Sequence, residues 1–132
     1  MSLHADRVWA NEIDPKSYID QPGDKPKILI VPDNKMPNTI HVRIHKEDHT
    51  LANVLRMKLN AEEDVVFAAY QIPHPTEALV DLKIQTVSAD NLNLSAGLGD
   101  AIDGPKNALL RATQSALRDV NEFSTAFEAA VK

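Results

Sequence analysis

The chain contains no cysteine, and this absence excludes two kinds of stabilising site. Without thiols there is no disulfide framework and no thiolate metal site. Aromatic residues are also scarce, at 5% of 132 residues, although an apolar fraction of 43% can supply a core. A chain of this length fits one domain, which buries roughly 65–70% of the surface of its unfolded state.

Long hydrophobic segments are missing as well. No apolar run approaches the roughly 18 residues that a membrane-spanning helix requires. The first residues, MSLHADRVWANEID, lack the apolar centre of a secretory signal. We therefore expect an intracellular, soluble domain without a membrane partner.

The charge balance shows no excess of basic residues. The chain has 19 acidic and 14 basic residues, a net charge of −5. This argues against a nucleic-acid-binding face, because neutralising phosphates requires clustered Lys and Arg. It does not exclude membership of a larger machine whose other subunits contact nucleic acid. The chain also lacks the GxGxxG and P-loop patterns, so nothing suggests nucleotide binding.

The hydrophobic pattern predicts an α+β domain over residues 27–132, after an extension of irregular structure over 1–26. Strands are predicted at 27–31, 39–45, 65–72 and 78–87. The second of these alternates apolar and polar residues, as a strand with one solvated face does. The fourth alternates imperfectly, which suggests that both of its faces are covered.

Two helices are predicted. The first begins at Asp48 or Thr50, either of which can accept a hydrogen bond from an unpaired backbone N–H, and it ends near Leu59. A polar connection over 88–104 leads to the second, which we expect to begin at Pro105, because proline suits a first helical turn. The segment 106–131 contains neither Gly nor Pro, so this helix can be about 39 Å long.

The long helix carries apolar residues at alternating steps of four and three, the spacing of helix-on-helix packing. Its later part, from Val120 to Val131, extends past a sheet of four strands, which is only about 15–20 Å wide. Phe123 and Phe127 would then be exposed unless another chain covers them, so a partner is implied. The alternative is that 88–104 and the N-terminal extension fold back over them.

The histidines offer little support for an enzyme. His45 and His49 are four residues apart, as metal ligands on one helix can be, but they flank a strand-to-helix junction where their rings need not converge. His74 lies between two prolines and is held on a stiff turn, with no Ser or Cys elbow or paired acid near it in sequence. We expect solvated, capping or structural histidines and no cofactor or metal. The acids 62–64 are most simply a solvated helix end.

Two segments resemble one known family, the small alpha-like subunit of eukaryotic and archaeal RNA polymerases. Members carry an EDHTLGN-type segment followed by an F-x-GY-x-x-PHP segment. The matching residues here are Glu47, Asp48, His49, Thr50, Leu51 and Asn53, then Phe67, Tyr70, Pro73, His74 and Pro75. The sequences KEDHTL and AAYQIPHP look more like the member in RNA polymerase II than the one shared by polymerases I and III. Two glycines of the family pattern are replaced by Ala52 and Ala69.

The resemblance implies an α+β dimerisation domain shared with the bacterial alpha subunit. The subunit would pair with a larger alpha-like subunit, the third subunit of polymerase II, and the pair would be a platform for the two catalytic large subunits. It would be nuclear and non-catalytic, without direct contact to nucleic acid. The EDHTL segment would position the first helix, while Tyr70 and His74 would brace the sheet and its turn.

The interface helices implied by the resemblance are Thr50–Leu59 and Lys106–Val131. The candidate partner-binding residues on them are Thr50, Leu51, Val54, Leu55, Leu59, Leu109, Thr113, Ala116, Val120, Phe123 and Phe127. The alternatives are the equivalent subunit of polymerases I and III, a stand-alone homodimeric binding module, and a metal-dependent hydrolase.

Overall fold

The computed structural model describes residues 26–87 and 100–132, with side chains in the second range from Ile102 onward. Residues 1–25 of the predicted extension and residues 88–99 of the predicted connection lie outside the described residues. The elements are β1 (Ile28–Pro32), β2 (Thr39–His45), α1 (His49–Asn60), β3 (Val65–Gln71), β4 (Leu79–Thr86) and α2 (Asp100–Val131).

The four strands form one antiparallel sheet in the order β1-β2-β4-β3, with β2 and β4 at its centre. Helix α1 packs over β3 and β4, and α2 packs over β2 and β4 beside it. Both helices lie on one face of the sheet, so the fold has two layers. The predicted α+β class, with a small antiparallel sheet, one short helix and one long C-terminal helix, is confirmed.

The alternation in β2 decides which face of the sheet meets the helices. Ile40, Val42 and Ile44 are buried under the helix layer, whereas Arg43 is exposed on the other face. In β4, Val80, Leu82 and Ile84 fill the same core. The remaining core residues come from the helices and β3, and they are Ala52, Leu55, Leu59, Ala68, Ala108 and Ala112.

The second face of β4 is covered less by packing than by charged neighbours. Asp81 is 9% exposed and accepts from the ring of His41, whose other nitrogen lies 3.3 Å from Asp33. Lys83 forms an ion pair of 2.8 Å with Asp33. The imperfect alternation in β4 therefore reflects one apolar face and one face with a charge network.

Both edges of the sheet carry features that oppose further strand pairing. In β1, backbone hydrogen bonds join Lys27 and Asp33 to β2, so the even-numbered residues between them direct their backbone groups away from β2. Pro32 is one of these and has no N–H to offer. In β3 the pairing shifts at a bulge between Val65 and Phe67. Such features commonly protect edge strands from pairing with another chain.

Helix α2 begins about one turn earlier than the sequence predicts. We expected its start at Pro105, but the helix begins at Asp100 and contains Pro105 in its second turn. Proline has the φ value of a helix, and the ring of Pro105 is fully buried. Burial of this ring offsets the missing backbone hydrogen bond, so proline is tolerated one turn inside the helix.

Gly104 lets α2 approach the end of β4 closely. A Cβ atom at this position would lie 2.9 Å from Oγ1 of Thr86. That oxygen is buried and has no hydrogen-bond partner among the described residues. Any larger residue at 104 would therefore require the Thr86 side chain to turn or the start of α2 to move away from the sheet.

Candidate partner-binding surface

The exposure of α2 changes along its length. Ala108 and Ala112 are fully buried and Ala116 is half-buried, but every residue from Leu117 to the C-terminus is exposed. This exposed part carries large apolar side chains, which are 60–73% exposed: Leu117, Val120, Phe123, Phe127 and Val131. A contiguous apolar surface of this kind marks an interface in soluble proteins. We call residues 117–131 the distal half of α2 and residues 100–116 its proximal half.

The exposed stripe continues, five turns later, the side of α2 that meets the core in the proximal half. At 3.6 residues per turn, residues 18 positions apart lie on the same side of a helix, so Val120, Phe123 and Phe127 follow Ile102, Pro105 and Leu109. Pro105 is fully buried, and Ile102 and Leu109 are partly buried against the core. The helix therefore extends one apolar side past its own sheet, where no described residue of the chain covers it.

Two aromatic rings form the centre of the distal half. Phe123 and Phe127 lie one turn apart, with ring centroids 6.4 Å apart and planes inclined by 22°. Their mutual contact orders the rings before any partner arrives. Ordered aromatic side chains lose little conformational freedom on binding and dominate many interfaces.

Helix α1 adds a smaller apolar patch. Leu51, Val54 and Met57 recur at steps of three and are exposed, with Met57 at 59%. Met57 was absent from the residues predicted for partner binding, although its three-residue spacing from Val54 is visible in the sequence. Thr50 lies exposed at the start of this helix.

Leu55 and Leu59 require a correction to the predicted partner-binding set. Both are buried in the chain's own core, and Leu59 has no exposed surface at all. These two residues lie one turn apart on the side of α1 that faces the sheet. They hold α1 in place and leave almost no surface for a partner.

Three further predicted residues lie in the proximal half of α2. Leu109 is half-buried against the core, and Thr113 is exposed with its hydroxyl donating to the Leu109 carbonyl at 2.8 Å. Ala116 is half-buried, and all residues after it in this helix are exposed.

Ion pairs join α2 to α1 and the loop after it. Arg111 donates to Glu62 at 2.8 Å and to both carboxylate oxygens of Asp64 at 2.6 Å. These two acceptors, Glu62 first, raise the pKa of Arg111 above its ordinary value. Two turns further along α2, Asp119 pairs with Lys58. Two of the three acids that the sequence suggested were merely solvated, Glu62 and Asp64, are thus partners of α2, through contacts across 47 or more residues that local spacing does not reveal.

The first motif segment forms the junction between β2 and α1. Asp48 is the N-cap of α1, and its carboxylate accepts from the backbone N–H of Thr50 at 2.8 Å. That hydrogen bond lowers the pKa of Asp48. Glu47 pairs with Lys27 at 2.7 Å. Asn53 accepts from the guanidinium of Arg56 at 2.9 Å.

The second motif segment supports the first. The Tyr70 hydroxyl and Nδ1 of His49 are 2.9 Å apart, and the two rings meet edge to face. Tyr70 thereby links β3 to the start of α1. His74 contacts the hydroxyl of Thr76 at 2.6 Å within the turn that joins β3 to β4. Pro73 and Pro75 are exposed on either side of His74, and Phe67 is 46% exposed on β3.

His45 and His49, weighed in the sequence as possible metal ligands and not favoured, lie in different elements of the fold. His49 is engaged with Tyr70 at the start of α1, while His45 ends β2. Across residues 26–87 and 100–132, no three side chains of the metal-ligating types form a group. In the same ranges, neither helix is both long enough and apolar enough to span a bilayer.

The sequence is similar to a named family and to several curated proteins. Residues 39–126 match the family described as the RNA polymerase Rpb3/Rpb11 dimerisation domain. The DNA-directed RNA polymerase II subunit rpb11 of Dictyostelium discoideum is 44% identical over 70 residues, which are 53% of this chain and 58% of that protein. The DNA-directed RNA polymerase II subunit RPB11 of Schizosaccharomyces pombe is 34% identical over 102 residues, 77% of this chain and 72% of that protein.

One further relative and one solved structure are also similar to the chain. The probable DNA-directed RNA polymerase II subunit RPB11 of Caenorhabditis briggsae is 46% identical over 66 residues, 50% of this chain and 54% of that protein. The matches thus span little more than half the length of the Dictyostelium and Caenorhabditis briggsae proteins. The crystal structure of DNA-directed RNA polymerase subunit L from Thermoplasma acidophilum superimposes with a TM-score of 0.55 at 20% identity, covering 78% of this chain and 86% of that one. This likeness confirms the fold.

Proposed function

The chain belongs to the family of the RNA polymerase Rpb3/Rpb11 dimerisation domain, and from that membership we propose that it is a non-catalytic assembly subunit of RNA polymerase II. It would bind the larger alpha-like subunit, the third subunit of that enzyme, as a heterodimer. The heterodimer would then be the platform on which the catalytic large subunits assemble in the nucleus.

The observation that carries this proposal is the row of large, exposed apolar residues on the distal half of α2. Exposed side chains such as Phe123 and Val131 cost solubility in a monomer, and a partner helix would remove them from water. The proposed surface consists of this stripe, Leu110 on the proximal half, and the patch of Leu51, Val54 and Met57 on α1.

A subunit that acts through this surface would contribute binding affinity and no catalytic chemistry. Burial of apolar side chains is non-directional and supplies affinity without chemistry. Asp48, His49 and Tyr70 of the two motif segments hold the junction between β2 and α1 through their hydrogen bonds. They would act by fixing α1, which carries part of the surface.

Purification of the tagged chain from its own cells under gentle conditions tests this proposal. Mass spectrometry should identify the large subunits of polymerase II together with a larger alpha-like subunit. Co-purification with polymerase I and III subunits would assign the chain to the sister role. Recovery alone or as a homodimer would contradict the proposal.

A further inference from the structure

The distal half of α2 extends far beyond the part of the helix that packs on the sheet. The last fully buried residue of the helix is Ala112, and Val131 lies 19 residues beyond it, a distance of about 28 Å at 1.5 Å per residue. A tilt of about 10° at Ala112 would therefore move the C-terminal end by about 5 Å. Small errors in the direction of the proximal half become large displacements of Phe123 and Phe127.

Packing of the proximal half fixes this direction only weakly. The fully buried residues of α2 are Pro105, Ala108 and Ala112, which are small or compact, and the larger Ile102 and Leu109 are only partly buried against the core. At Gly104 the helix has no side chain and rests against Thr86. Helix crossing angles are set by side chains that interdigitate, and a face of small residues has shallow ridges. The packing of the proximal half therefore holds α2 on the sheet but restrains its tilt only weakly.

Ion pairs supply the second point of support. Arg111 lies one residue before Ala112 and makes three short hydrogen bonds to Glu62 and Asp64, in the loop after α1. A guanidinium that bridges two carboxylates fixes orientation as well as distance. The pair of Lys58 and Asp119 adds a third support two turns later, and beyond Asp119 every residue of α2 is exposed.

We propose that Arg111, clamped by Glu62 and Asp64, is a positioning residue that sets the direction of the distal half of α2 and thereby its fit to a partner. The consequence for partner binding rests on the proposed function. The consequence for the direction of the helix concerns this chain alone and is measurable without any partner.

Distances between two spin labels on the full chain test the clamp directly. The chain has no cysteine, so Arg43→Cys on the open face of the sheet and Ala129→Cys on the distal half provide two unique label sites, both at exposed residues. The labelled chain should give one narrow distance distribution. Adding Arg111→Gln should broaden or shift it by about 5 Å, the displacement expected for a tilt of about 10°.

Two further variants separate the clamp from a general loss of charge. Arg118→Gln makes the same change on the same helix at an exposed arginine without a hydrogen bond or ion pair in the described part of the chain, and the distribution should stay narrow. Glu62→Gln combined with Asp64→Asn removes the acceptor charges and should reproduce the effect of Arg111→Gln. A distribution for Arg111→Gln that coincides with the unsubstituted chain would overturn the proposal.

Affinity for the larger alpha-like subunit distinguishes failure of this inference from failure of the proposed function. If the unsubstituted chain binds, Arg111→Gln should weaken binding about two- to fivefold, the range of a surface ion-pair network, while Arg118→Gln should not. Equal affinities for all three chains would overturn the link to partner binding. Absence of binding by the unsubstituted chain would contradict the proposed function. The label distances would still test whether Arg111 sets the direction of the distal half of α2.

Discussion

The two halves of α2 have similar sequence periodicity and opposite surroundings. The proximal half packs on the sheet with small residues, such as Ala108 and Ala112, and it leaves Leu110 outside. The distal half places its largest side chains, Phe123 and Phe127, where the described part of the chain offers nothing to cover them. Apolar periodicity alone therefore predicts the helix and its seam, but residue size distinguishes the section that packs within the chain from the section for which we propose a partner.

The largest expected effect comes from placing a charge on the buried face. Ala108→Asp would bury an unpaired carboxylate at a fully buried position and should lower the free energy of unfolding by about 3 kcal/mol or more. Ala126→Asp is a matched control, because it makes the same change five turns later on the same side of the helix, at an exposed residue. Urea unfolding of both variants measures the difference. Equal destabilisation by the two variants would contradict the assignment of different surroundings to the two halves of α2.

The next effect concerns the distal half and should appear in binding, with little change in stability. Phe123→Asp combined with Phe127→Asp should weaken binding to the larger alpha-like subunit at least about 100-fold, because both aromatic side chains are central to the proposed surface. The free energy of unfolding should change by less than about 1 kcal/mol, since both residues are exposed. Calorimetric titration and urea unfolding measure the two quantities.

A control for that pair is Thr125→Asp, which adds charge on the opposite side of the distal half. It should bind like the unsubstituted chain. Collapse of the fold in the double variant would instead place the two phenylalanines in an intrachain core.

Removing the cap of α1 should have a moderate effect. Asp48→Ala deletes the carboxylate that accepts from the Thr50 N–H, and loss of such a cap costs about 1 kcal/mol of stability. Asp48→Asn keeps an acceptor and should retain most of the stability. Thermal unfolding measures both variants, and similar losses for the two would show that the cap hydrogen bond is not the cause.

The smallest effect should come from the charge network on the open face of the sheet, far from the proposed interface. Lys83, followed by the backbone N–H of Lys35, holds the pKa of Asp33 well below its usual value near 3.8. A carboxyl group with a lowered pKa stabilises the fold above its unfolded-state pKa, and the contribution disappears as pH falls through the folded-state pKa.

Lys83→Gln should therefore raise the pKa of Asp33 and reduce stability at pH 7, with a smaller difference from the unsubstituted chain at pH 2. Carboxyl titration by NMR and urea unfolding at the two pH values test this expectation. Partner affinity at pH 7 should be unchanged, and a loss of affinity would extend the interface to the open face of the sheet.

Much of the fold was predictable because its signals are local. The alternation in TIHVRIH predicted β2 with its correct bounds, and the motif around Asp48 predicted the start of α1. The predicted start of α2 was wrong because proline is typical of a first helical turn. In the structure the ring of Pro105 is buried, and the helix begins about one turn before it.

The site was predictable only in part because burial depends on tertiary packing. Leu55 and Leu51 both fit the apolar pattern of α1, yet only Leu51 has surface left for a partner. The contacts of Arg111 with Glu62 and Asp64 join residues 47 or more positions apart, and no local pattern connects them.

Backbone amide hydrogen exchange along α2, with and without the larger alpha-like subunit, tests the central claim most directly. In the free chain the distal half has few contacts to restrain opening, so its amides should exchange faster than those of residues 105–112. Complex formation should slow exchange in residues 117–131 by at least about tenfold and change residues 105–112 much less. A complex that forms while exchange in residues 117–131 stays as fast as in the free chain would contradict the assignment of this half to the partner.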